Sequence, residues 1–139
     1  MASKLKYAVF GSGSWATAIV KMLCEKTDSV GWYVRKSKTI DYIKKEQHNP
    51  SYLTSIEFDV NRLILSDDIN KVARSADVLV FAIPSAFIYE QLKLLNINIS
   101  EKIILSAVKG IVPETGLLVG EHFHQQLDVP FDQIAVLVG

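Results

Sequence analysis

Tyr7-Ala8-Val9-Phe10-Gly11-Ser12-Gly13-Ser14-Trp15-Ala16 is the stretch on which the reading of this chain turns. Four residues able to fill a buried strand are stopped by Gly11, and Gly13 follows before a helical pattern begins. Trp15, Ala18, Ile19, Met22 and Leu23 fall at i, i+3, i+4, i+7 and i+8, which is one helix face. Residues 30–34 are then a second short β run. Strand, glycine turn, helix and strand within ~30 residues make a βαβ unit with parallel strands.

The alternation continues outward from that unit. Residues 39–46 read as a short helix with Ile40 and Ile43 inward, and residues 47–61 as a long polar surface connection. Leu63-Ile64-Leu65 is a third strand. Ser66-Asp67-Asp68 offers N-cap side chains to a helix carrying Ile69, Val72 and Ala73. Residues 78–83 are apolar throughout, as a parallel strand covered on both faces must be, and Pro84 ends them. Phe87, Ile88, Gln91 and Leu92 mark the next helix. Residues 102–107 form a fifth strand, 114–127 a helix and 134–138 a sixth strand. The pattern predicts an α/β fold of Rossmann type, with a doubly wound, mostly parallel sheet and one domain over residues 1–139.

Composition narrows the function. Lysine plus arginine and aspartate plus glutamate number 15 each. A chain without surplus positive charge is a poor phosphate-backbone binder, so no nucleic-acid partner is expected. No apolar run approaches the ~20 residues of a membrane span, and the N-terminal residues carry no secretory pattern. Cys24 is the single cysteine, which excludes an internal disulfide and fits a small core residue in a reducing compartment. A cytoplasmic protein without membrane insertion is expected.

The glycine loop carries chemistry. Gly11-Ser12-Gly13-Ser14-Trp15-Ala16 matches G-x-G-x-x-[GA] between a strand and a helix, the context of a dinucleotide site. Gly11 permits the tight turn, Gly13 lets a pyrophosphate approach the backbone, and Ala16 allows close helix–strand packing. The helix N-terminus presents N–H groups and a positive dipole end to the phosphates, next to Ser12 and Ser14. Sites for NAD carry an acid near the end of the second strand, for the ribose hydroxyls. Here that place holds Tyr33-Val34-Arg35-Lys36. A guanidinium suits an adenosine 2′-phosphate, so the expected cofactor is NADP or NAD with NADPH favoured. Lys109, just past the fifth strand and followed by Gly110, stands on the rim where ligands bind in such sheets.

With these residues in hand, the chain resembles the NAD(P)-dependent glycerol-3-phosphate dehydrogenases. Gly11-Ser12-Gly13-Ser14-Trp15-Ala16-Thr17-Ala18 is similar to that family's G-x-G-x-W-G-T-A loop. Trp32 is similar to the aromatic before its cofactor-discriminating loop. His48-Asn49-Pro50-Ser51-Tyr52-Leu53 resembles its N-x-x-Y-L segment, and Ala76-Asp77-Val78 through Ala82-Ile83-Pro84-Ser85 its "AD…VPS" strand and loop. Ser106-Ala107-Val108-Lys109-Gly110-Ile111 resembles its S-x-K-G-I segment, and Val136-Leu137-Val138-Gly139 the start of L-x-G-P-S. Ala16 replaces the usual glycine, and Thr54 stands where the family has proline.

The resemblance implies roles. Ser14 and Trp15 would lie against the pyrophosphate and ribose, and Val34 and Arg35 would line the adenosine end. Phe87, after Pro84-Ser85, would pack on the nicotinamide side. Lys109 would bind the substrate and approach the cofactor, and Gly139 would offer backbone to the substrate. The implied activity interconverts dihydroxyacetone phosphate and sn-glycerol 3-phosphate for glycerophospholipid synthesis, in a homodimer. The principal catalytic lysine is expected beyond Gly139, in a helical domain, so these residues alone are expected to bind cofactor without turnover. Two rivals stand beside this reading. One is another two-domain dehydrogenase of hydroxyacid or ketopantoate reductase type, and the other a non-catalytic dinucleotide sensor. His122 and His124 lie two apart and lack partner ligands, so they read as helix-surface residues rather than a metal site.

Overall fold

The computed structural model describes residues 5–137. The strands and helices are β1 (Tyr7–Phe10), α1 (Ser14–Cys24), β2 (Val30–Tyr33), α2 (Ser37–Glu46), β3 (Leu63–Ser66), α3 (Ile69–Arg74), β4 (Val78–Phe81), α4 (Ser85–Leu92), β5 (Ile103–Ser106), β6 (Ile111–Val112), β7 (Leu117–Leu118), α5 (Val119–Leu127) and β8 (Ile134–Val136). Six strands form one sheet in the order β3-β2-β1-β4-β5-β8, and every neighbouring pair in it is parallel. The register aligns Phe10 with Tyr33 and Phe81, and Phe81 with Ser106. The carboxyl ends of the central strands therefore meet along one rim.

Alternation along the strands builds two cores. Val9, Trp32, Val34, Leu65, Val78 and Val80 face α1 and α2. Ala8, Phe10, Leu79, Phe81 and Ile104 face α3, α4 and α5. Phe10 stacks on Phe81 at 4.4 Å between ring centroids, and Phe81 meets Phe123 of α5 at 4.8 Å. Each such pair adds ~0.5–1.5 kcal/mol beyond its area burial, which ties β1, β4 and α5 together. Asp68 caps α3 through the N–H groups of Asn70 and Lys71, as its position before the apolar run implies.

Several expectations need correction. The buried face of α1 is Ala16, Ile19, Val20 and Cys24, while Trp15 and Met22 are 49% and 52% exposed. Two faces one residue apart are both apolar here, and periodicity alone does not choose between them. The glycine loop chooses, because its third small residue must press on the sheet and Ala16 is fully buried. Residues 114–127 are not one helix: β6 and β7 form an antiparallel hairpin before α5. Pro113 and Gly116 explain this, for Gly116 has φ +70° in a turn closed onto the Val112 carbonyl. The connection after α2 is not all surface either. It sends Phe58 into the core against Trp32 at 5.2 Å and buries Asn49. The sixth strand ends at Val136, and Val138 lies outside the described residues.

The histidines also depart from expectation. His124 is half-buried, stacks on Phe131 and sets Nδ1 2.9 Å from the Val129 carbonyl. His122 is buried against Tyr89, and its Nδ1 has no hydrogen-bond partner among the described residues. No group of metal-ligating side chains occurs among the described residues, and no helix among them is long and apolar enough to cross a membrane.

Burial pushes the His122 pKa below its ordinary value of ~6.5, and Glu114 opposes this only in part. The folded state therefore holds His122 neutral, and below that value the unfolded chain takes up a proton more readily. Stability from this group is complete above pH ~6.5 and is lost as the pH falls through the folded pKa. The melting temperature should fall on going from pH 7.5 to 5. In His122→Phe that fall should be smaller, as thermal denaturation by circular dichroism will measure.

Candidate functional site

The rim is built by backbone hydrogen bonds that continue past the strands. Gly11 N–H donates to the Tyr33 carbonyl at 3.1 Å, and Ala82 N–H to the Phe10 carbonyl at 2.9 Å. Gly11 has φ +124°, and a Cβ there would lie 2.6 Å from the Ala82 carbonyl oxygen. Only glycine lets β1 turn so close to the end of β4. Gly13 differs in kind. It precedes α1 with φ −78°, open to any residue, and a Cβ there would meet nothing within 4 Å. Gly13 is among the residues that line a cleft of about 380 Å³.

The glycine loop forms one wall of the cleft, with Gly11, Ser12 and Gly13. Tyr33 and Arg35 enter from the end of β2, and Ala82, Ile83 and Pro84 from the end of β4. Phe87, Glu90 and Gln91 come from α4, and Tyr52 from the connection after α2. Phe87 is 63% exposed, an aromatic face offered to solvent at the cleft. The Tyr33 hydroxyl donates to Gln91 Oε1, joining β2 to α4. Burial pushes the Tyr33 pKa up, with Asp67 and Asp68 adding and Arg35 opposing, so the phenol keeps its proton and donates. A wider depression of about 540 Å³ lies at the opposite end of the sheet, among Leu5, Tyr7, Leu23 and Thr27. It faces the amino ends of the strands, whereas ligands of open α/β sheets bind beyond the carboxyl ends. The candidate site is therefore the smaller cleft.

Of the residues expected at the site, the structure brings Gly11, Ser12, Gly13, Arg35, Pro84 and Phe87 together. Val34 is fully buried, with its N–H on the Ser66 carbonyl, and is not part of the cleft lining. Ala16 likewise is buried beneath the loop. Ser14 and Trp15 are exposed in the first turn of α1, beside the cleft but outside its lining, and Lys36 is outside it too. Lys109 is exposed past β5 and is not part of the cleft wall. The Ser106 hydroxyl accepts from Val108 N–H at 3.2 Å and turns the chain there. The adjoining Gly110, at φ +97°, lies opposite Ser85. Lys109 thus stands on the rim between the β5 and β4 ends. Gly139 lies outside the described residues.

Sequence reasoning missed Tyr33, Tyr52, Glu90 and Gln91 as cleft residues. Helix periodicity would have placed Gln91 and Phe87 on one side of α4, since they are four apart. Nothing local announces Glu90, which supplies a carboxylate where the second strand has none.

The family described as "NAD-dependent glycerol-3-phosphate dehydrogenase N-terminus" matches residues 6–139. A glycerol-3-phosphate dehydrogenase [NAD(P)+] from Neorickettsia sennetsu is 35% identical over 132 residues, 94% of this chain and 38% of the relative. One from Clostridium botulinum is 33% identical over 96% of this chain and 40% of the relative. The crystal structure of the Coxiella burnetii glycerol-3-phosphate dehydrogenase superposes with a TM-score of 0.79 at 25% identity, over 96% of this chain and 40% of that one. An imine reductase from Pseudomonas sp. shares the fold at a TM-score of 0.63 and 15% identity, over 96% of this chain and 40% of that one. The chain spans about two-fifths of the length of the curated relatives it matches. The loop, the rim and these matches agree, and the chain belongs to the NAD-dependent glycerol-3-phosphate dehydrogenase N-terminal family.

Proposed function

We propose that the rim cleft binds a nicotinamide dinucleotide, NADPH ahead of NADH, within an enzyme that interconverts dihydroxyacetone phosphate and sn-glycerol 3-phosphate. The observation that carries this reading is the contrast between two glycines. Gly11 lacks a side chain because the fold has no room for one, whereas Gly13 lacks one where the fold leaves space. A glycine kept beside open space at a helix N-terminus is what a phosphate needs. The cleft thus fits the dinucleotide. The backbone of Ser12, Gly13 and Ser14 would hold the pyrophosphate, and Trp15 would cover it. Arg35 would meet the adenosine end, and Pro84 and Phe87 the nicotinamide side. When bound, the nicotinamide supplies the hydride chemistry, and the protein supplies orientation and charge.

Lys109 would hold the substrate phosphate or carbonyl by charge, with Gly139 offering backbone to the same molecule. Proton delivery to the product alkoxide needs a second group, which the family resemblance assigns to a lysine beyond this chain. The same reading extends to a cytoplasmic homodimer whose product feeds glycerophospholipid synthesis. One feature favours NADH: Glu90 lines the same cleft as Arg35. A carboxylate repels a 2′-phosphate and accepts from a ribose diol. The reading rests on Arg35, which extends from the end of β2, where the ribose-binding acid stands in NAD sites.

Two measurements test this. Gly11→Ala should cost roughly 2 kcal/mol or more of stability, read by denaturant unfolding, because it meets both positive φ and a backbone contact. Gly13→Val should fold normally yet lose more than tenfold in NADPH affinity by calorimetry, ~1.4 kcal/mol or more. Normal affinity in Gly13→Val would remove the loop from the site. The same titrations on the parent should rank NADPH at least equal to NADH, and Arg35→Asp should reverse the order. A clear NADH preference in the parent would refute the cofactor assignment.

A further inference from the structure

Three consecutive carbonyls of the glycine loop are each held by a side chain. Trp32 Nε1 donates to the Gly11 carbonyl at 2.6 Å. Asn49 Nδ2 donates to the Ser12 carbonyl at 3.1 Å. Thr17 Oγ1 donates to the Gly13 carbonyl at 2.6 Å. A trans peptide is planar, with its C=O and N–H pointing in opposite directions. Holding these three carbonyls therefore fixes the directions of the Ser12, Gly13 and Ser14 N–H groups. A phosphate on this loop would be bound by those donors.

Asn49 is the centre of the arrangement. It is 1% exposed, although it sits in a polar connection far from the loop in sequence. Its Nδ2 also donates to Thr17 Oγ1 at 3.0 Å, so it acts on the Ser12 carbonyl directly and on the Gly13 carbonyl through Thr17. Its Oδ1 accepts from the N–H groups of Ser51 and Tyr52 at 2.9 and 3.2 Å. Two N–H donors on one end and two oxygens on the other fix which way the amide points. Through that second end Asn49 also sets Tyr52, on the cleft wall. A residue needed only to fill the core would be apolar here, because burying an amide brings nothing unless its bonds are used.

We propose that Asn49 is a positioning residue for dinucleotide binding, aligning the loop N–H groups with the phosphates and holding Tyr52 in the cleft wall. The inference rests on the dinucleotide reading of the cleft. It has a signature that a purely structural role lacks. Asn49→Asp keeps the shape and both bonds from Ser51 and Tyr52, but sets a carboxylate oxygen against the Ser12 carbonyl. Protonation restores a donor at that point. The parent and Asn49→Asp proteins, both checked as folded by circular dichroism, should be titrated with NADPH at pH 8 and pH 5.5. Dividing variant by parent dissociation constants at each pH cancels the titration of the ligand's own phosphate.

The expected ratio is tenfold or more at pH 8 and several times smaller at pH 5.5. A ratio near one at pH 8 overturns the proposal, and so does a large ratio unchanged by pH where ¹³C NMR shows the carboxyl introduced by Asn49→Asp to be protonated at pH 5.5. Should Asn49→Asp not fold, Thr17→Val removes the hydroxyl between Asn49 and the Gly13 carbonyl at nearly constant shape. It should bind NADPH at least threefold more weakly, and parental affinity would overturn the proposal. A parent that binds no dinucleotide refutes the cleft reading and this role with it. A binding parent beside an equally binding Asn49→Asp refutes this role alone.

Discussion

The approach of Gly11 to the carbonyl end of β4 is the contact on which the rest of the site depends. A Cβ at Gly11 would come within 2.6 Å of the Ala82 oxygen, so the chain turns there only without a side chain. That turn ends β1 level with its neighbours and starts α1 at once. It places Gly13, the residue that precedes α1, in the lining of the cleft. The parallel register then decides what else arrives. Phe10, Tyr33 and Phe81 share one row of the sheet, so the segments that leave β1, β2 and β4 converge. Arg35 and Pro84 belong to those segments.

The cleft is held by polar groups that are satisfied internally, which leaves the Ser12, Gly13 and Ser14 amides for a ligand. Trp32 and Thr17 both contribute core packing as well as a hydrogen bond to the loop. The loop's geometry is thus coupled to the packing between sheet and α1, and its shape before binding should resemble its shape after. Preorganisation of this kind removes part of the ordering cost of association. The charge pattern is less one-sided. Arg35 and Glu90 share the cleft, and the balance of their fields decides how a 2′-phosphate is received.

Much of this was legible in the residues because local rules and the fold agreed. The apolar run 78–83 marked a fully covered strand, Asp68 marked a helix start, and the glycine loop marked the rim. The failures have identifiable physical causes. Periodicity puts the face of α1 one residue off, because Trp15 and Met22 are as apolar as the residues that pack and only the contact at Ala16 distinguishes them. The expected helix over 114–127 takes in the turn at Gly116 and β7, because the apolar spacing of the residues that follow extends the helical pattern across them. Glu90 and Asn49 reach the site through tertiary contacts over long sequence separations, which no local pattern encodes. His122 is covered by Tyr89 of α4, which is remote in sequence from its own helix, so the pattern of α5 alone does not show that it is buried.

The central claim is that dinucleotide phosphates sit on the backbone amides at the start of α1. The most direct test is a titration of the ¹⁵N-labelled protein with NADPH, followed amide by amide by nuclear magnetic resonance. The account predicts that the Ser12, Gly13 and Ser14 amide protons shift most, downfield as hydrogen bonds to phosphate form. Arg35 and Phe87 should shift with them, while residues at the amino ends of the strands stay still. Shifts centred on the depression around Leu5, Tyr7 and Leu23, with the loop amides unmoved, would contradict it.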